Sequence, residues 1–314
     1  MDRMAGGILI LVLTLSVAAA QDKVGDKSAT PAEQYQALLK EFNEAARVAY
    51  LEGKSDDERS EAIARIDQLS PRFLELAATN PMDPIALDAL VQVVNLEMYL
   101  QNNTAHAGRG KDSLEAKAIV ILLRDHIRSD KLGEACRRMS YGFSKECETF
   151  LRTVLEMNPH RDVQGLACLR LAQFLNARSQ RLDLLHEQPP GAMLSARREH
   201  GDAKPTPCHP PQMAKGYEGW FGEDYLATLQ RQDRAAAVRE AEAFFERAAE
   251  QYGDVKLPYA DTVGVKAKAD LHEIRHLSVS KEAPDIDGAD QDGKRFKLSD
   301  YRGKAVLLYF WSEY

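Results

Sequence analysis

The chain has 314 residues, with 41 Lys and Arg against 48 Asp and Glu for a formal net charge of -7, 44% hydrophobic residues and 4 Cys. That apolar content is enough for one large core or two ordinary ones, which excludes a chain disordered throughout. The acidic balance gives nucleic acid nothing to bind by charge, and so few cysteines in a chain of this length exclude a disulfide scaffold.

Residues 1–20 read as a signal peptide. Arg3 supplies a positive start, Ile8 to Val17 form a predominantly apolar run free of charge, and Ala18, Ala19 and Ala20 give a small-residue cleavage pattern before Gln21. The run is about ten residues, short of the ~20 a membrane-spanning helix needs. The expectation is an exported protein of a bacterial periplasm or cell envelope, with an uncleaved membrane anchor as the alternative. In such an oxidising compartment, thiol chemistry has to be maintained by dedicated proteins.

Residues 21–280 read as a helical domain. Thr30, Pro31 and Glu33 make a capping box with Pro at the first helical position, followed by an apolar stripe from Leu38 to Ala49. Ser55 and Glu58 repeat the box, and Pro71 is expected to bend or split the helix that follows. Asn80 and Pro81 stop that helix and Asp83 with Pro84 restarts the chain. Further helical stretches are expected near 113–128, 145–157, 162–186, 233–252 and 258–277. The segments ending Asn80-Pro81 and Asn158-Pro159, with a looser copy at Phe245 to Tyr252, echo one another. They recur at more than twice the ~34-residue period of tetratricopeptide arrays, so either stacked hairpins similar to that class or a plain bundle fits.

Residues 188–216 interrupt this pattern with Pro189, Pro190, Pro205, Pro207, Pro210 and Pro211, and read as a loop. Cys208-His209 lies inside it with only His200 near, too few ligands for a metal. Cys136, Cys147 and Cys168 fall on helical stretches without metal-ligand spacing. They read as small buried residues or as one structural disulfide plus leftovers, and the pairing among Cys136, Cys147, Cys168 and Cys208 stays open.

His272-Glu273-Ile274-Arg275-His276 fits H-E-x-x-H, in which two imidazoles one turn apart share zinc and the Glu acts as general base. A zinc hydrolase through His272, Glu273 and His276 is the reading this motif offers. No His follows His276 to serve as a further ligand, and a helical domain rather than a substrate-binding sheet precedes it, so the expectation is no metal.

Residues 281–314 change register. Asp292-Gly293 marks a turn, Lys294 to Leu298 a strand, Ser299 to Gly303 a second turn, and Ala305 to Trp311 a continuous apolar run of the kind that forms a buried central strand. The blocks Glu282-Ala283-Pro284-Asp285-Ile286, Asp292-Gly293-Lys294, Leu298 to Lys304 and Val306 to Trp311, in this order, resemble the opening of thioredoxin-like redoxins. The closest likeness is to exported thiol-disulfide oxidoreductases of the TlpA and ResA type, within the AhpC/TSA-redoxin superfamily of antioxidant proteins. The resemblance implies a strand ending in Phe310-Trp311, an aromatic at Tyr314, and then Cys-x-x-Cys at a helix N-terminus that lowers the first thiol's pKa.

This sequence contains no such pair, so no catalytic residue is assigned within it. Trp311 and Tyr314 would flank the site, and the nucleophile is expected immediately after Tyr314. Selenocysteine read as a stop codon, a nonsense mutation and a broken assembly are the alternatives for that ending. Together these readings give a mainly α fold: a helical-hairpin domain, tetratricopeptide-like or bundle, followed by the first strands of an incomplete α/β thioredoxin-like fold. The resemblance implies no cofactor and a protein dithiol or disulfide as partner. A helical-repeat module that binds a protein partner without chemistry of its own is the rival reading.

Overall fold

The computed structural model describes residues 29–52, 55–101, 113–186, 221–258, 261–278, 281–289 and 292–309. The segment 1–20 expected to be a signal peptide, the expected Pro-rich loop at 188–216 with Cys208, and Trp311 and Tyr314 lie outside them.

Side-chain oxygens start most of the helices, because the first four N–H groups of a helix have no partner within it. Helix α1 (Pro31–Arg47) begins at Thr30, whose Oγ1 accepts from Glu33 N at 3.2 Å while Thr30 N donates to Glu33 Oε2 at 2.7 Å. A π-turn (Val48–Glu52) continues it. Ser55 and Glu58 make the same reciprocal pair at the start of α2 (Asp56–Asp67). The break before α3 (Leu69–Thr79) falls two residues ahead of Pro71, which then sits in the first turn, where its missing N–H costs nothing.

Helix α4 (Ile85–Gln101) starts where Ile85 N donates to Asp83 Oδ1 at 2.9 Å. Ser113 caps α5 (Leu114–Asp125) and Ser144 caps α7 (Lys145–Met157). Between them lies a short α6 (Gly133–Met139), and α8 (Arg161–His186) follows. Helices α9 (Glu223–Gln230), α10 (Arg234–Gln251) and α11 (Val263–His272) complete the helical part, which ends in a second π-turn, Glu273–Leu277. The sequence pattern anticipates all of these except α6 and α9, and it starts α11 too early: residues before Val263 instead form an isolated bridge between Lys256 and Thr262.

Most helices pack chiefly on helices one or two places away in sequence. The main pairs are α3 on α4, α4 on α5, α5 on α7, α7 on α8, α8 on α10 and α10 on α11, with α6 laid against α8. Phe73, Phe150, Phe174 and Phe245 are fully buried along this series, one from each of α3, α7, α8 and α10. Each is worth about 1.5–3 kcal/mol of apolar transfer, so the core is distributed along the stack. A smaller apolar cluster of Leu182, Phe221, Leu226 and Leu229 seats α9 against the end of α8.

After the helices, β1 (Asp287–Ala289) pairs antiparallel with β2 (Arg295–Lys297) in the register Asp287–Lys297, Gly288–Phe296 and Ala289–Arg295. Gly293 has φ 78 in the intervening turn, a left-handed conformation that suits glycine. The expected central strand is not formed among the described residues. Residues 305–309 carry no strand assignment, and Leu307 and Tyr309 are 92% and 82% exposed. An apolar run becomes a buried strand only where neighbouring strands and covering helices accept it, and the two-stranded ribbon supplies neither.

Candidate functional site

The C-terminal segment is organised by hydrogen bonds that its own sequence encodes. Ser299 donates to Asp285 twice, from its N at 2.8 Å to Oδ1 and from its Oγ at 2.9 Å to Oδ2. These bonds hold the Asp285 carboxyl below its ordinary value. Leu298 N donates to Ile286 O at 2.9 Å, extending the ribbon by one rung. Arg302 pairs with Glu282, and Arg295 with Asp287 at 2.6 Å. Lys297 N donates to Asp300 Oδ2 at 2.8 Å, closing the short 3-10 turn Leu298–Tyr301, and Gly303 follows with φ 83. The first three of the four blocks that carry the family resemblance thus meet in one unit, and Val306 to Tyr309 run on from it largely exposed.

This unit carries no thiol nucleophile. Residues 281–309 contain neither Cys nor His. The cysteines of the helical part do not substitute for one. Cys136, Cys147 and Cys168 are buried and free, and burial pushes the thiols of Cys136 and Cys168 up to about 12. Burial and the neighbouring Glu115 raise that of Cys147 as well. None is therefore a thiolate at neutral pH.

His272 ends α11, and Glu273 and His276 lie on the π-turn, all three exposed. The two imidazoles stand 4.7 Å apart between ring centroids. Arg275 ties this turn to α10, donating to Glu242 at 3.0 Å and to Glu246 at 2.5 Å. An open cleft separates the histidines from Glu282, Asp285, Ser299 and Arg302 of the C-terminal unit. Its acidic groups are engaged by Arg302 and Ser299, and among the described residues no group of three or more His, Cys, Asp or Glu is placed to hold a metal.

The sequence pattern missed a polar node inside the helical part. Arg178, only 3% exposed, donates through Nη1 to Glu148 Oε2 at 2.5 Å and to the Tyr225 hydroxyl at 2.8 Å. Arg152 Nη2 reaches Glu148 Oε1 at 2.7 Å and Glu240 Oε1 at 2.5 Å. Burial opposes ionisation of Glu148, but Arg178, Tyr225 and Arg152 outweigh it and hold the carboxyl below its ordinary value. The node clasps α7, α8, α9 and α10 together. Charged positions on otherwise apolar helices were the one sequence sign of it.

Residues 279–314 match the model of the AhpC/TSA family. No curated protein and no solved structure matches the chain. The match supports a redoxin, thioredoxin-like superfamily for this C-terminal segment.

Proposed function

We propose that this chain belongs to an exported, thioredoxin-like thiol-disulfide oxidoreductase of the TlpA and ResA type, with the reactive Cys or Sec at the position after Tyr314. The reading is supported by the AhpC/TSA match over residues 279–314 and by the arrangement of β1, the Asp292-Gly293 turn, β2 and the Leu298–Tyr301 turn in the order that redoxins use. Export is supported by the sequence pattern of residues 1–20.

In this reading the thiolate or selenolate attacks one sulfur of a partner's disulfide, expels the other as thiolate, and forms a mixed disulfide. The second Cys then attacks the bond to the first, releasing the partner reduced and leaving the pair oxidised. Trp311 and Tyr314 flank the reacting group. The helical part brings the protein partner to it.

A second reading has one observation in its favour: the three described cysteines are buried thiols, so the helical part offers a surface rather than a reactive group. It is then a partner-binding module alone. Nucleotide sequence beyond the Tyr314 codon, together with an insulin-reduction assay of the longer product against the 314-residue chain, separates the two. The expected result is a Cys codon or in-frame UGA followed, after two intervening residues, by Cys, with activity only in the longer product. If no such pair follows in any frame, the redox reading fails and the binding module stands.

A further inference from the structure

Two turns of the helical part share an Asn-Pro pair with a methionine alongside. Met82 follows Asn80-Pro81 in the turn between α3 and α4, and Met157 precedes Asn158-Pro159 as the last residue of α7 before α8. In both places the asparagine fixes the turn. Asn80 Nδ2 donates to Leu76 O at 2.9 Å, and Asn158 Nδ2 donates to Ile127 O at 2.7 Å and to Ser129 O at 2.8 Å. The methionine side chains take no part in the core. Met82 is 95% and Met157 65% exposed, and neither joins an apolar cluster among the described residues.

Met139 of α6, by contrast, is fully buried, as are Cys136, Cys147 and Cys168. Oxidation of sulfur needs contact with the oxidant and, for a thiol, the thiolate form. Burial pushes the Cys136 and Cys168 thiols up to about 12 and raises that of Cys147, so at neutral pH they lack the reactive form. A thioether has no proton to lose. Its sulfur lone pair attacks the terminal oxygen of a hydroperoxide, and the S–O bond forms as the O–O bond breaks. The hydroxyl proton passes to the departing oxygen, which leaves as alcohol or water; sulfur gives up two electrons and the peroxide takes them. The sulfoxide is polar, which disrupts a core but is harmless to a side chain already in water.

We propose that Met82 and Met157 are oxidation sites of the helical part, where a hydroperoxide converts the thioether to the sulfoxide while Met139, Cys136, Cys147 and Cys168 are spared. Met82, the more exposed of the two, reacts first. The chain thus takes up oxidant at two turns without disturbing its core. This inference rests on the helical part alone and is independent of the redox reading.

The test treats the folded 314-residue chain with hydrogen peroxide and follows each residue by peptide mass spectrometry. The expected result is sulfoxide at Met82 and then at Met157, each forming at least about tenfold faster than at Met139, with Cys136, Cys147 and Cys168 unmodified. Both methionine rates should stay flat from mildly acidic to mildly alkaline pH, whereas a thiol reaction accelerates with its thiolate fraction. Unfolding in urea should abolish the difference between Met82 and Met139. The double variant Met82→Leu with Met157→Leu should consume about two equivalents of peroxide fewer per chain and keep the parent's thermal midpoint. Oxidation of Met139 in the folded chain as fast as Met82 overturns the proposal, as does modification of Cys136, Cys147 or Cys168 ahead of Met82. A double variant that matches the parent's peroxide uptake overturns it as well, and so does one that melts early, because the two side chains would then belong to the packing.

Discussion

The Cys147 thiol donates to the Glu115 carboxylate across 3.1 Å, joining α7 to the first turn of α5 with both side chains buried. A thiol in that position is a structural hydrogen-bond donor. Cys136, Cys147 and Cys168 should therefore resist alkylation in the folded chain and react only on unfolding. Iodoacetamide labelling with peptide mass spectrometry reads this directly, and rapid labelling of any of the three under native conditions would contradict it.

The same thiols set an alkaline limit. Cys136 and Cys168 have folded-state values pushed from the ordinary 9.0 up to about 12, so the unfolded chain releases these protons first as pH rises. Their contribution is complete below pH 9.0 and is lost progressively toward about 12. Urea denaturation across that range should show a falling midpoint, with a shallower fall in Cys136→Ala.

At the polar node, removing one partner strands the others. Glu148→Gln leaves the buried Arg178 guanidinium uncompensated and should cost about 3–5 kcal/mol. Tyr225→Phe removes a single hydrogen bond and should cost about 1 kcal/mol. Because the folded state holds the Glu148 carboxyl low, its contribution is present above the ordinary carboxylate range and disappears as pH falls through the lowered value. Chemical denaturation of both variants at neutral and acidic pH checks the magnitudes and the sign together: the gap between parent and Glu148→Gln should narrow in acid.

Gly264 and Gly253 bring two backbone segments together. A Cβ on Gly264 would lie 2.8 Å from the Gly253 Cα and 2.9 Å from its carbonyl oxygen, and neither is a flexible side-chain end that could swing aside. Gly264→Ala should destabilise the chain by about 1–3 kcal/mol. Gly288→Ala, where a Cβ meets only the Phe296 ring edge at 3.5 Å, should be close to neutral. Thermal melts of the two variants decide it.

For the H-E-x-x-H sequence, His276→Ala should leave fold and metal content unchanged. Metal analysis of the purified chain that finds one zinc, lost in this variant, would reverse the assignment.

How far the sequence pattern reached follows from the range of the interactions. The Thr30–Glu33 and Ser55–Glu58 boxes act across three residues, so local residue order alone locates the starts of α1 and α2. Gly133 and Gly222 flank the starts of α6 and α9, where no side chain makes a capping bond, and those helices form because α8 and the Leu182 cluster hold them. The Glu148–Arg178 bond spans 30 positions, and no local pattern encodes it. In the C-terminal segment the Asp292-Gly293 turn and β2 were readable as short-range features. The Ala305 to Tyr309 run was not, because its fate depends on neighbours that apolarity alone does not provide.

The neighbour-by-neighbour stacking of α3, α4, α5, α7 and α8 has a bearing on how the polypeptide is made. Most apolar partners of an early helix belong to the helices on either side of it in sequence, so the leading half can consolidate while the ribosome is still adding the rest. The redoxin-like unit emerges after these helices, when they are already settled. Its exposed Leu307 and Tyr309 therefore appear only once the helical core has closed, and do not compete for that core's apolar partners.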